Sequence, residues 1–281
     1  MLRNIWQLLR TRGLRWFLNF VGIDPHRGKQ NLKSLNWYFR DYASFRDQLE
    51  ERHLSPSIRL NPFLADKFDT SGSASGHYFH QDLYVARRIL RNAPVKHVDI
   101  GSRIDGFVAH VAIFRPIEVF DIRPLTSQIE NITFVQADFT NIDPRFTDYT
   151  DSVSCLHSIE HFGLGRYNDR IDVNGHEKGL QSIYQILKPG GRFYFSTLMG
   201  REKVDFNAER IFPLRSLLEL IRGKYAIEKF SYVDDRGDFH QDVPLTDELI
   251  ETNCSCHYGC AIFELLKTDA ALPAASVRTD R

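Results

Sequence analysis

Val98-Asp99-Ile100-Gly101-Ser102-Arg103-Ile104-Asp105-Gly106 reads as the end of a buried strand, a tight glycine turn and the start of a helix. A second apolar run, Ile117-Glu118-Val119-Phe120, closes on Asp121. An acidic group about 20 residues beyond a glycine turn is placed to accept the hydroxyls of a ribose. Together these features predict a nucleotide-cofactor pocket on a parallel sheet. A pyrophosphate-binding turn follows G-x-G-x-x-G, and Arg103 stands where the second glycine belongs. That side chain disfavours a nicotinamide dinucleotide and suits a cofactor with ribose and adenine but no phosphate. S-adenosylmethionine is the common one, and a cofactor-free α/β domain is the alternative.

Around this turn, apolar strand runs alternate with helical periodicity. Strands are expected at Lys96–Ile100, Ile117–Asp121, Ile132–Gln136, Ser152–His157 and Gly191–Thr197, with helices between most of them and two late strands near Tyr225–Val233 and Ala261–Leu266. Such alternation implies right-handed crossovers and a doubly wound, Rossmann-like α/β sheet. Gln81–Asn92 has helical spacing, and Lys188-Pro189-Gly190-Gly191 is expected as a turn that launches the fifth strand. The small-residue run Asp69–Gly76 marks a boundary, giving a helical N-terminal extension (1–68) with a turn at Gly22–Gly28, a core domain (69–267) and a tail (268–281).

Charge narrows the partners. Lys plus Arg (36) equals Asp plus Glu (36) over 281 residues, so no overall field recruits nucleic acid. Residues 1–40 are the exception, with eight Lys/Arg against the single acid Asp24. Leu2, Ile5, Trp6, Leu9, Trp16, Phe17 and Phe20 share this arm near helical spacing. The arm is read either as a peripheral contact with an anionic membrane face or a partner, or as a helix packed on its own domain. Arg10, Arg12 and Arg15 interrupt the one candidate spanning segment, no small-residue cleavage site follows, and Cys155 lies far from Cys254, Cys256 and Cys260. A cytoplasmic protein without a disulfide framework is the expectation.

Asp138-Phe139 supplies, after the third strand, a carboxylate for an exocyclic amine and a flat apolar face, the two needs of an adenine; a helix cap and a core phenylalanine are the plain alternative. The expected cofactor set is therefore Asp99, Gly101, Ser102, Arg103, Asp105, Gly106, Asp121, Ile122, Asp138, Phe139 and His157, with Arg103 or Asp105 meeting the charged methionine end. The densest polar cluster, Leu156–Gly163, ends the fourth strand. His161 is the first candidate for a general base on a substrate hydroxyl, His157 the second, and Glu160 the group that orients one of them. His157-x-x-Glu160-His161 also matches an inverted zinc-protease pattern, but Gly163 and Gly165 break the helix it needs; no metal is expected there, nor at Cys254-x-Cys256-His257 with Cys260. His80, Arg166, Tyr167, Asn207 and Arg210 are the expected substrate contacts from loops on the same edge.

On these residues the core, about Gly76 to Lys267, resembles the class I S-adenosylmethionine-dependent methyltransferases. Val98–Gly101 looks like their first motif, Asp121 their ribose-binding acid, Ala137–Phe139 their adenine loop, Leu156–Phe162 their fourth-strand segment, and Leu187-Lys188-Pro189-Gly190-Gly191-Arg192 their fifth-strand turn. The resemblance implies a mostly parallel seven-stranded sheet with an antiparallel last strand. More narrowly, Gly76–Asp82, His97–Ala112, Glu160–Tyr167 and Tyr258–Cys260 resemble a bacterial family, domain of unknown function 268, whose members accompany surface-polysaccharide genes. That implies O-methylation of a saccharide or nucleotide-sugar. A non-catalytic methyltransferase-like scaffold in a membrane-side glycan assembly is the alternative.

Overall fold

The computed structural model describes residue 18 and residues 22–268 and divides the chain into two units, Met1–Ser73 and Ala74–Arg281. In the first unit a 27-residue helix, α1 (Pro25–Glu51), starts where Asp24 caps it: the Asp24 carboxylate accepts from the backbone N–H of His26 (2.9 Å) and Arg27 (3.1 Å), with Pro25 in the first turn. Gly28 therefore lies inside this helix, which replaces the turn expected at Gly22–Gly28. The aromatic-basic positions from Leu2 to Phe20 fall outside the described residues, as does the expected tail beyond Thr268.

The second unit is built on an eight-stranded sheet. Its strands are β1 (His97–Ile100), β2 (Ile117–Asp121), β3 (Ile132–Gln136), β4 (Thr150–Leu156), β5 (Leu187–Met199), β8 (Tyr225–Val233), β9 (Phe239–His240) and β10 (Gly259–Lys267), in the order β3-β2-β1-β4-β5-β10-β8-β9. Strands β3 to β5 along this order run parallel, and β10 inserts antiparallel between β5 and β8. The sheet is the expected doubly wound, mostly parallel one with an antiparallel last strand, extended by the two-residue edge strand β9. A separate ribbon pairs β6 (Lys203–Asp205) with β7 (Glu209–Ile211).

Alternation along each strand feeds two cores. Val98, Ile100, Val153, Cys155, Phe193, Phe195 and Phe263 point to one face, under the helices α4 (Gly175–Ile186) and α5 (Leu214–Ile221). Val119, Leu156, Tyr194 and Ile262 point to the other, under α2 (His77–Asn92) and the segment made of a wide turn, Ile104–Val108, and the short helix α3 (Ala109–Ala112). Each fully buried phenylalanine contributes roughly 1.5–3 kcal/mol by leaving water.

Two connections differ from expectation. No helix joins β2 to β3, and β3 to β4 has only a 3-10 turn, Pro144–Phe146. Edge strand β3 has no fully buried residue, so little apolar surface there calls for a covering helix. The Lys188–Gly191 turn lies within β5 as a bulge: the β4–β5 register jumps from Thr150 opposite Leu187 to Ser152 opposite Arg192. Asp247–Thr252 forms a last helix, α6, capped by the Thr246 side chain.

Candidate functional site

The carboxyl ends of β1, β2, β3 and β4 open on one edge, where loops from an open parallel sheet leave a crevice. Gly101 makes the first turn with φ +77°, and its N–H donates to the Phe120 carbonyl at 2.8 Å, binding the end of β1 to the end of β2. A Cβ here would overlap the Ser158 hydroxyl, so only glycine lets these loops close together.

Two adjoining clefts share this turn. The narrower, about 530 Å³, is lined by Gly101, Asp121, Ile122, Asp138, Phe139, His157, His161 and Tyr167 among others. The wider, more open one is lined by Gly101, Ser102, Arg103, Asp105, Gly106, His157, Glu160, His161, Arg166 and Tyr167, and also by His77, Tyr78, Asp82, Arg123, Glu209 and Tyr258. Asp121 and Asp138 thus face a common space with the Gly101 turn.

Four expected site residues are not brought into either lining. Asp99 is wholly buried beneath the turn, where its carboxylate accepts from Ser102 N–H (3.0 Å), Ser102 Oγ (2.9 Å) and Ser154 Oγ (2.5 Å); it pins the loop instead of meeting a ligand. Its side chain leaves the sheet on the face opposite Val98 and Ile100, as strand alternation requires. Arg210, read as a substrate contact, is buried, and its guanidinium donates to the carbonyls of Phe162 (2.5 Å), Glu160, Asp172 and Val173 (each 3.4 Å). Asn207 sits exposed with φ +61° between β6 and β7, and His80 stacks on Phe239 at 5.3 Å.

Arg103 and Asp105, the residues expected to meet a charged methionine end, both line the wider cleft. Arg103 and Asp105 pair with each other through two hydrogen bonds, 2.9 and 2.6 Å, with side chains 75 % and 68 % exposed. Two buried acids face the wider cleft, Glu160 and Asp82; Asp82 lies on the first turns of α2, and burial pushes its pKa up to about 6. Sequence spacing could not single it out, because its position relative to the Gly101 turn is set by how α2 packs on the sheet. Arg123 was likewise missed: two residues beyond Asp121, it caps that carboxylate through its backbone N–H (2.8 Å), Nε (3.0 Å) and Nη2 (2.5 Å), while its guanidinium lies 4.4 Å from the Tyr167 ring centre. Asp138 gives one oxygen, Oδ1, to the N–H and hydroxyl of Thr140 (2.8 and 2.7 Å).

The two histidines have different settings. His161 Nδ1 lies 2.7 Å from the Ala208 carbonyl, so Nδ1 carries the proton and Nε2 keeps a lone pair. Arg166 Nη1, 3.3 Å from the same nitrogen, then serves as a second donor to Ala208 O (3.2 Å). His157 is held at φ +47° with Nδ1 2.6 Å from Glu160 Oε1, and Glu160 Oε2 accepts from Thr197 Oγ1 at 3.1 Å. Glu160 therefore orients His157, not His161. Burial works against charge on both partners. For His157 it is outweighed by Cys260 and Glu160, which hold the pKa well above the ordinary value; for Glu160 it is outweighed by His157, which holds the carboxyl below its ordinary range.

A family model described as "Caenorhabditis protein of unknown function, DUF268" matches residues 119–253, somewhat under half of the chain; that description does not carry the bacterial setting expected above. Among curated proteins the chain is similar to a ubiquinone biosynthesis O-methyltransferase of Pseudomonas putida (strain GB-1), 22 % identical over 69 % of this chain and 75 % of that one. Among solved structures it is similar to the 1,6-didemethyltoxoflavin-N1-methyltransferase of Burkholderia thailandensis, at 17 % identity and TM-score 0.48, covering 67 % and 79 % of the two chains. It is also similar to the N-methyltransferase NodS of Bradyrhizobium japonicum WM9, at 11 % identity and TM-score 0.47, covering 75 % and 94 %. The fold assignment rests on this chain's own strand order.

Proposed function

We propose that this chain is an S-adenosylmethionine-dependent methyltransferase, and more narrowly an O-methyltransferase acting on a saccharide or nucleotide-sugar of a surface polysaccharide. One observation carries the reading: Asp121 and Asp138 border the same narrow cleft as the Gly101 turn, at successive strand ends. The curated relative named above is itself an O-methyltransferase.

The donor set fits an adenosyl ligand. Asp121 would accept the ribose hydroxyls in place of Arg123, Asp138 Oδ2 would accept from the adenine amine, and Ile122 and Phe139 supply apolar wall. Asp82 would hold the ammonium of the methionine end. When bound, S-adenosylmethionine supplies an electrophilic methyl group on a sulfonium. His161 Nε2 would take the proton of the acceptor hydroxyl as the displacement proceeds, and His157, whose Nδ1 is held by Glu160, is the second candidate. Arg166, Tyr167, Glu209 and Tyr258 give the wider cleft the mixture of charged and aromatic groups that binds hydroxyl-rich acceptors. No described helix is long and apolar enough to cross a membrane. On this reading residues 1–40 bring the enzyme to the inner membrane face or to a glycan-assembly partner.

Calorimetry tests the core of the reading. S-adenosylhomocysteine should bind with a Kd in the micromolar range, and Asp121→Ala should abolish measurable heat. His161→Ala should keep that binding and lose about 10²–10⁴-fold in turnover on a nucleotide-sugar acceptor. Folded protein giving no heat with S-adenosylmethionine or S-adenosylhomocysteine would replace the enzyme with a non-catalytic scaffold.

A further inference from the structure

Two lining residues of the wider cleft, His77 and His157, meet the buried Cys260 in a group to which the methyl-transfer reading gives no joint task. His77 opens α2, His157 follows β4, and Cys260 lies in β10, and one ligand atom of each falls within 4.8 Å of the others. Cys260 is fully buried as a free thiol, and the His157 side chain is 4 % exposed. Among the described residues His157 Nε2 has no nitrogen or oxygen partner, and its ring couples instead to the Cys260 thiol. A buried ring nitrogen left unpaired is rare, because its desolvation is otherwise uncompensated. The other nitrogen, Nδ1, is fixed by Glu160, which Thr197 steadies in turn. Metal-bound histidines have this environment: one nitrogen tied to a carboxylate, the other aimed at the ion.

We propose that His77, His157 and Cys260 form a zinc-binding site, with Glu160 as the carboxylate that orients His157 and a fourth position left for water from the cleft. Two imidazoles and a thiolate match zinc, and three protein ligands with one open position match its non-structural sites. Bonds of about 2.0–2.3 Å in a tetrahedron bring ligand atoms to roughly 3.3–3.6 Å apart. Closure on the ion therefore contracts the triangle by about an ångström. His77 is the ligand able to supply this, being half-buried on the first turn of α2; its ring, stacked on His157 at 5.1 Å and on Tyr258 at 5.8 Å, must rotate to bring its nitrogen inward. The Cys254-x-Cys256 pair is excluded from the set, and the zinc-protease pattern contributes only His157, since His161 lies outside the group of ligand atoms within 4.8 Å.

The site does not depend on the proposed methyl transfer, and its test is binding. The full-length protein is stripped with chelator and titrated with Zn²⁺ and Co²⁺. One equivalent of zinc should bind, and Co²⁺ should give a thiolate-to-metal charge-transfer band in the near ultraviolet. Cys260→Ser should remove that band, and His77→Ala, at the less buried position, should weaken zinc by at least about 10-fold with the circular dichroism spectrum unchanged. Glu160→Gln should weaken it by about 10–100-fold. Less than a tenth of an equivalent bound, or binding unaffected in both His77→Ala and Cys260→Ser, overturns the proposal.

Discussion

Replacing Gly101 with alanine tests the geometry on which the whole cleft depends. An L-residue held at φ +77° costs about 1–2 kcal/mol. The added Cβ would also overlap the Ser158 hydroxyl and lie 3.1 Å from Ser158 Cβ. Ser158 borders the narrower cleft, so its hydroxyl can turn aside, but its Cβ is fixed by the backbone, and overpacking of this kind costs about 1–3 kcal/mol. Gly101→Ala should thus destabilise by roughly 2–5 kcal/mol. Ser158→Gly removes the colliding atoms and leaves only the backbone cost, so in that background the same substitution should cost about 1–2 kcal/mol. Urea unfolding of the four proteins gives the coupling directly, expected at about 1–3 kcal/mol. Because the Gly101 N–H also ties β1 to the end of β2, Gly101→Ala should weaken S-adenosylhomocysteine as well. Equal costs in the two backgrounds would show that the loops do not meet as described.

Arg210→Met should lower stability by about 3 kcal/mol, since four backbone carbonyls lose a buried donor, and lower Tm by roughly 6–12 °C. An unchanged Tm with a raised acceptor KM would restore Arg210 as a substrate contact. A second expectation concerns pH. Burial raises Asp99 to about 7 and lowers His97 to about 3, and both share the hydroxyl of Ser154. Between about pH 4 and 6.5 the folded state holds one extra proton on Asp99, which makes stability fall as pH rises. Over the same range the unfolded state holds one extra proton on His97, which makes stability rise with pH, so the two slopes offset. Asp99→Asn should unmask the His97 slope, up to about 1.4 kcal/mol per pH unit, in denaturant midpoints measured from pH 4 to 6.5. A slope the same as in the parent protein would contradict the assignment.

The strands were legible because their information is local: alternating apolar residues bounded by glycine, proline or an acid. The same alternation shows why Asp99 was misread. It shares a strand with Val98 and Ile100 but leaves on the opposite face, and its partner Ser154 is known only once β1 and β4 are in register, with Asp99 opposite Ser154. Arg210 looked like a binding residue because a charge in a loop usually stays in water. What buries it is the convergence of Glu160, Phe162, Asp172 and Val173, whose carbonyls turn inward around it. The His77–His157–Cys260 group lies beyond sequence reading for the same reason, as its members come from three distant elements.

Arg123 shows how a site residue can be both close in sequence and invisible to motif reasoning. A motif records which acid meets a ligand, not what occupies that acid before the ligand arrives. Here both Asp121 oxygens are engaged by a guanidinium two residues away, whose side chain is 39 % exposed. The pair is open to water on the arginine side only, Asp121 being 9 % exposed, so displacing the guanidinium leaves a carboxylate that needs new donors, which ribose hydroxyls supply. The pair therefore holds Asp121 in place and keeps its charge compensated without barring a ribose. The stronger constraint on what the cleft accepts is the backbone of the Gly101 turn, which cannot move without breaking its bond to Phe120 and its buried anchorage on Asp99.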